Sequence, residues 1–476
     1  MYVNNNIIRP FIFWAQQKRW LLFTFLLGTI MYWLPYPETI STQGYRTIIL
    51  ATMAIILIIT EPIPLPATAL LIAVLEVSFH IAPAAEVAQS YMNDSVFFIM
   101  GSLMMAVAIV HQGLDTRLAL GIIKLTGNKV SNIVFGFTLI SALLASFIGE
   151  HTVVALMLPV GLSLVRNSKG HHDISNLTVL ILFSIAYGST VGSVGTPSGG
   201  ARNAILIEYL KNLPNPIYLS YSEWILMAYP MVLIGMFTTS IMLKMAFKPE
   251  YVRLDTAIRK LKIQVAHRGE ITGKELLSII IFVIVFMAWV LLNEEFGMGI
   301  IAIAGAFLYM ATGLVEWKEI SKNTNWGVIL LFSGAISLGI QMKNTGAAQW
   351  IGSSIIGYSG DAIASLSFLP YIINILLTTT LSNIMSSSGT VAVIGPITLN
   401  MGGDPLFMGM TTGIAAAFGY FSAVAAPACM IIYSSGLVRI TDFLRAGWRM
   451  GLMSIITLLL LQTFYWPFIV KFFNIQ

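Results

Sequence analysis

Apolar residues run along this chain in long blocks, with polar residues gathered between them. A helix crossing a bilayer needs roughly 20 consecutive apolar residues. Blocks approaching or exceeding that length occur at 20–35, 45–60, 65–82, 94–112, 177–210, 222–246, 275–293, 297–315, 325–342, 408–437 and 446–470. The pattern therefore predicts about eleven transmembrane helices. Two more apolar stretches, 131–162 and 363–397, are interrupted by small polar residues: GEHT at 149–152 and SSSGT at 386–390. These are read as re-entrant hairpins that return to the face they entered. A backbone turn within a bilayer is tolerated only where it is buried in protein or lines a cavity.

Composition sharpens the class. Of 476 residues, 57% are hydrophobic and only 10% charged, and mean hydropathy is +0.82; a soluble protein carries about 25% charged residues. The expected fold is an all-α polytopic membrane protein. The lone Cys429 excludes a disulfide framework and a multi-cysteine metal site. The N-terminal segment ends in Pro35-Tyr36-Pro37, so no cleavable signal peptide is expected. The basic excess, 26 Lys and Arg against 21 Asp and Glu, reads as an orientation signal. With the N-terminus cytoplasmic and both hairpins re-entrant, 21 of the 26 basic residues fall in cytoplasmic loops, as the positive-inside rule requires. The C-terminus is then extracytoplasmic, and nucleic acid is not an expected partner.

The two halves resemble each other. ASFIGEHTVVALMLPV (145–160) aligns without gaps on SNIMSSSGTVAVIGPI (382–397). VFFIMGSLMM (96–105) parallels VILLFSGAIS (328–337), and Val194-Gly195-Thr196-Pro197 parallels Val424-Ala425-Ala426-Pro427. The predicted organisation is an inverted-topology repeat: an N-terminal half, 1–246, with hairpin 131–162 and broken helix 177–210; a basic, partly helical cytoplasmic linker, 247–274; and a C-terminal half, 275–476, with hairpin 363–397 and broken helix 408–437. Secondary transporters of this architecture bind substrate near the midplane, where half-helix ends and unwound carbonyls meet the solute.

The candidate chemistry sits at the breaks. GSTVGSVGTPSGGARN (188–203) packs five glycines and a proline into a helical span, and FSAVAAPACM (421–430) centres on Pro427. Neither is a phosphate loop, and Glu150-His151 lacks the spacing of a zinc-binding helix. Ionisable groups at membrane depth are functional candidates. Glu150 has three readings: a sodium ligand, a carboxyl that takes up and releases a proton, or a partner for His151 or Arg202. His151 either attracts an anion or closes a local hydrogen-bond network. Arg202, the one basic residue that the threading assigns to neither face, either clamps a substrate carboxylate or neutralises Glu150. Glu76, inside the third span, is a further candidate. His80, His111, His171 and His172 lie at span ends or in a loop and carry little signal.

At these four breaks the chain resembles the divalent anion/sodium symporter family, carriers of dicarboxylates, citrate or sulfate. Gly195-Thr196-Pro197 matches that family's broken helix, NDSVFFIMGSLMMAVAIVHQGLDTRLAL (93–120) its span and amphipathic helix before the first hairpin, and NWGVILLFSGA (325–335) the counterpart. The family's Ser-Asn-Thr tips read here as Gly149-Glu150-His151 and Ser386-Ser387-Ser388. Ser382-Asn383 offers a second register one helical turn earlier, and Ala426-Pro427 stands where Thr-Pro is usual. The resemblance implies one cation site at Gly149, Glu150 and Gly195, and another at Ser382, Asn383, Ser387 and Ala425. It places substrate against His151, Thr152, Thr196, Pro197, Arg202, Ser386, Ser388, Thr390 and Pro427. It also implies a homodimer and an elevator-type motion of the hairpin-bearing unit against a scaffold of spans 1–4 and 7–9.

The expected function is secondary active transport of small organic dianions across the inner or plasma membrane, coupled to Na+ or H+, with no further cofactor. A cation/proton antiporter using Glu150 is the alternative. An intramembrane enzyme using Glu150 and His151 is disfavoured, because no nucleophile or second metal ligand lies nearby in sequence.

Overall fold

The computed structural model describes residues 18–113, 126–168, 174–255, 271–358, 368–384, 386–423 and 425–473. Parts of several expected features lie outside them: 114–120 of the amphipathic helix, 256–270 of the linker, 363–367 of the second hairpin, Met385 and Val424. Among the described residues the structure is helical throughout, with one isolated bridge between Lys129 and Arg253.

Helices of eight residues or more are α1 Arg19–Trp33, α2 Thr42–Thr60, α3 Leu65–Ser78, α4 Ala84–Tyr91, α5 Asp94–His111, α6 Val130–Ile148, α7 Glu150–Ser168, α8 Ser175–Gly192, α9 Ala201–Lys211 and α10 Tyr221–Ala246. The second half supplies α11 Gly273–Leu291, α12 Met298–Ala311, α13 Trp326–Asn344, α14 Ala347–Tyr358, α15 Leu369–Ser382, α16 Ser387–Thr398, α17 Pro405–Ala415, α18 Pro427–Ser434, α19 Ile440–Leu460 and α20 Trp466–Phe473. Among the described residues eight helical stretches are long and apolar enough to cross a membrane; α3, α12 and α15 are apolar but shorter.

The chain folds as two compact units. The first comprises 1–93, 326–370 and 392–402. Its core gathers Leu50, Ala51 and Ala54 of α2, Ile72 of α3, and Leu338 and Met342 of α13. Glu76 is buried in this unit. Ser337 Oγ donates to its Oε2 at 2.7 Å, and Ser90 Oγ lies 2.7 Å from Ser337 Oγ.

The second unit comprises 94–325, 371–391 and 403–476, so it contains both predicted hairpin tips and both predicted broken helices. Small residues let its helices approach closely, as membrane helices do where packing replaces the hydrophobic drive. A Cβ at Gly101 of α5 would stand 2.5 Å from the Ala302 backbone of α12, and one at Gly192 of α8 would overlap the Ala142 carbonyl of α6. Helices α6, α7 and α8 pack on one another, and α18 packs on both α7 and α8.

All four expected breaks are present. A single residue, Gly149, joins α6 to α7 with φ +82°, a conformation that costs glycine little because it has no Cβ. The chain leaves α15 at Ser382 and re-enters helix at Ser387. Between α8 and α9, residues 193–200 are irregular apart from a 3-10 turn at Pro197–Gly199. Between α17 and α18 the helix is interrupted until Pro427, which takes the first helical position, where its missing N–H costs nothing.

Candidate functional site

The first broken helix is held open by side chains that replace the missing ladder. Asn203 Nδ2 donates to the carbonyls of Ser193 at 2.9 Å and Thr196 at 2.8 Å. Thr196 Oγ1 donates to the Ser146 carbonyl of α6, and Trp224 Nε1 of α10 donates to the Val194 carbonyl at 2.9 Å. Ser198 Oγ pairs with Tyr221 Oη at 2.8 Å. A buried carbonyl without a partner costs on the order of 1–3 kcal/mol, so these bonds make the irregular backbone affordable inside the unit.

A charge cluster sits against that break. Glu150, the first residue of α7, is 5% exposed, and Arg202, on the first turn of α9, is 1% exposed. Arg202 Nη1 lies 3.7 Å from Glu150 Oε1. Arg202 Nη2 donates to Ser193 Oγ at 2.6 Å, and that hydroxyl lies 3.4 Å from Glu150 Oε2 and 2.7 Å from the Thr190 carbonyl. Glu150 is thus paired with Arg202. The same guanidinium reaches the other tip: Nη1 lies 3.4 Å from Ser387 Oγ, and Ser387 N donates to the Ala425 carbonyl at 3.2 Å. Residues 150, 193, 202, 387 and 425 thus form one connected set within the second unit. Arg202 Nε and Asn203 Oδ1 are buried with no hydrogen-bond partner among the described residues.

Other expected site residues are engaged differently. Asn383 bonds backbone groups on both sides of its amide: its Nδ2 donates to the Thr379 and Phe418 carbonyls, and its Oδ1 accepts from Phe421 N at 2.8 Å. Ser382 Oγ donates to the Thr379 carbonyl one turn back. Ser386 Oγ accepts from Gly389 N, and Thr390 Oγ1 donates to the Ser386 carbonyl. Gly149 and Gly195 are buried, His151, Thr152 and Ser388 half-buried, and Pro427 exposed. His151 stands beside Gly149, with its Cε1 3.5 Å from where a Cβ there would lie.

Comparison with known proteins follows the same outline. The family model for the sodium:sulfate symporter transmembrane region matches residues 16–472. The chain belongs to the divalent anion/sodium symporter family. As a member it is an integral plasma-membrane transporter of small anions coupled to sodium, and not an enzyme. The sodium-dependent dicarboxylate transporter SdcS of Staphylococcus saprophyticus is 25% identical over 458 residues, covering 90% of this chain and 88% of that protein. SdcS of Staphylococcus aureus is 25% identical over 480 residues, covering 93% and 91%. The structure of Neisseria gonorrhoeae MtrF, from a class of antimetabolite efflux pumps, is similar with a TM-score of 0.56 at 14% identity, covering 82% of this chain and 84% of that one. That last likeness is one of fold alone.

Sequence reasoning did not single out Ser193, Asn203, Ser146 or Tyr221. Ser193 and Asn203 lie within the glycine-rich stretch already marked, and polar side chains inside such a stretch were the available signal. Ser146 and Tyr221 carry none, since a lone serine or tyrosine in an apolar span looks like ordinary packing.

Proposed function

We propose that this symporter carries small organic dianions of the dicarboxylate class, coupled to sodium, by elevator-type alternating access. The unit bearing both tips moves, and the inverted repeat presents its two sides in turn. The protein works as a homodimer with its N-terminus in the cytoplasm and its C-terminus outside. The observation that carries this reading is Arg202: a guanidinium buried on a broken helix, tied to both tips, with Nε unpartnered among the described residues. A dianion needs such a group, because a buried negative charge must be paired and hydrogen-bonded. The dicarboxylate transporters that match nine-tenths of this chain support the same substrate class.

In this reading substrate meets Arg202, Thr196, His151, Thr152, Ser386, Ser388 and Thr390, with Pro197 and Pro427 fixing the helix starts behind it. Sodium lies by Gly149, Glu150 and Gly195, and by Ser387 and Ala425, with Ser382 and Asn383 shaping the second tip. The antiporter alternative asks Glu150 to exchange its charge freely; its pairing with Arg202 argues against that.

The test is ligand-induced thermal stabilisation of the purified protein. A four-carbon dicarboxylate raises Tm in sodium and does so less in choline. No effect of any dicarboxylate, with full stabilisation by alkali cations alone, would favour the antiporter.

A further inference from the structure

A second site lies away from the tips, between α6 and α10 of the same unit. A cavity of about 470 Å³ is lined along α6 by Ser131, Asn132, Phe135 and Leu139 and along α10 by Phe237, Ser240, Ile241 and Lys244. Residues recurring every three to four positions lie on one helix face, so two facing stripes form a groove between the two packed helices. Its two ends differ in chemistry. At one end Lys244 Nζ stands 3.2 Å from Ser131 Oγ, and Lys244 forms no ion pair among the described residues. Lys129 lies two residues before Ser131 at the α6 cap, and the chain at 252–254 pairs with 128–130, which brings Arg253 alongside Lys129. Arg253 is partly matched by Asp255 at 3.9 Å; Lys244 is not. Further along, Phe135 and Phe237 stack at 5.3 Å, and Leu139 continues the apolar floor.

We propose that this groove binds one anionic phospholipid, with the phosphate on Lys244, Ser131 and Asn132 and an acyl chain over the Phe135–Phe237 pair. Three observations favour that occupant. An unpaired ammonium above an apolar trough matches an anion with a hydrocarbon tail, and basic pockets between membrane helices recognise lipid headgroups. Phe237 is 57% exposed, and with Leu233, Ile234 and Ile241 it forms an apolar face on a helix long enough to cross the bilayer. Ser240, on the same α10 stripe, lines the cavity and carries a hydroxyl with no hydrogen-bond partner among the described residues, which adds a polar group beside the apolar floor. From Ser131 to Leu139 is about 12 Å of helix, room for a headgroup and the upper part of one chain. Such a lipid clamps the start of α6, the helix that leads to the Gly149 joint, to the end of α10.

The experiment adds lipid to the delipidated protein in mild detergent and reads Tm together with bound lipid by native mass spectrometry. Phosphatidylglycerol is expected to raise Tm by several degrees more than phosphatidylcholine and to leave one retained lipid per chain; inorganic phosphate at equal concentration leaves Tm unchanged. Lys244→Gln removes the phosphatidylglycerol advantage and the retained lipid, while its lipid-free Tm stays near wild type. Phe237→Ala lowers the gain from both lipids. Should Lys244→Gln unfold, Ser131→Ala reports on the same phosphate contact and is expected to weaken retention several-fold. Equal gains from the two lipids, or an undiminished phosphatidylglycerol gain in both headgroup variants, would overturn the proposal. So would stabilisation by phosphate alone.

Discussion

Consider removing the charge at position 150. Glu150 Oε1 and Arg202 Nη1 stand 3.7 Å apart and are almost wholly buried. At an effective dielectric constant of about 20, two unit charges at that separation attract by about 4–5 kcal/mol. Desolvation offsets much of this, so the intact pair is a modest net stabiliser, yet leaving one member alone costs about 3–5 kcal/mol. The two single variants differ in kind. A stranded carboxylate can discharge by taking up a proton, whereas a stranded guanidinium cannot. Glu150→Gln therefore costs more than Arg202→Gln at neutral pH, and the Arg202→Gln deficit narrows as pH falls. The double variant Glu150→Gln/Arg202→Gln leaves no stranded charge and recovers about 2–3 kcal/mol relative to the sum of the singles, the non-additivity expected of contacting residues. Denaturant titration of the purified protein in one detergent measures all four corners of the cycle. Additive losses, with coupling below about 0.5 kcal/mol, would refute the pairing and return Glu150 to an independent role.

Other positions give simpler expectations. Gly192→Ala forces a methyl onto the Ala142 carbonyl, with backbone on both sides unable to yield; a loss of about 3 kcal/mol or more is expected as a sharp fall in Tm or in folded yield. Asn203→Ala strips the Ser193 and Thr196 carbonyls of their shared donor and is expected to cost about 2–3 kcal/mol. Because the break itself loosens, dicarboxylate-induced stabilisation falls along with Tm. Glu76→Ala in the other unit leaves Ser337 without its acceptor and opens a void, at a cost of about 2–4 kcal/mol; the KM of the folded fraction is unchanged, since no proposed ligand contact is lost.

Much of the membrane architecture was legible because a hydrocarbon environment leaves the sequence little choice. Helices such as Thr42–Thr60 and Tyr221–Ala246 begin and end within a few residues of the expected blocks. The breaks were legible for a related reason: Gly149 beside Glu150, five glycines in sixteen residues, and Pro427 are local signals read without knowing the partner. The exact helix count was less accessible. Leu65–Ser78 and Met298–Ala311 are shorter than the apolar runs that contain them, because polar or glycine-bearing turns such as Phe79-His80 and Thr312-Gly313 end the helix before apolarity ends. What the sequence could not display is the wiring. Arg202 reaches Ser387 across 185 positions and Glu150 accepts from Ser193 across 43; no period or motif encodes either. Asn383 illustrates the limit most clearly. Its residue type suits a cation ligand, and that its amide also bonds the Phe418 carbonyl and Phe421 N is visible only once the second broken helix is placed beside it.

The most direct test of the transport assignment is uptake of a labelled four-carbon dicarboxylate into proteoliposomes, with sodium and proton gradients imposed separately. An inward sodium gradient is expected to drive accumulation above equilibrium, and a proton gradient without sodium is expected to leave it near background. Accumulation indifferent to sodium but driven by the proton gradient, or sodium–proton exchange with no dicarboxylate movement, would contradict the account.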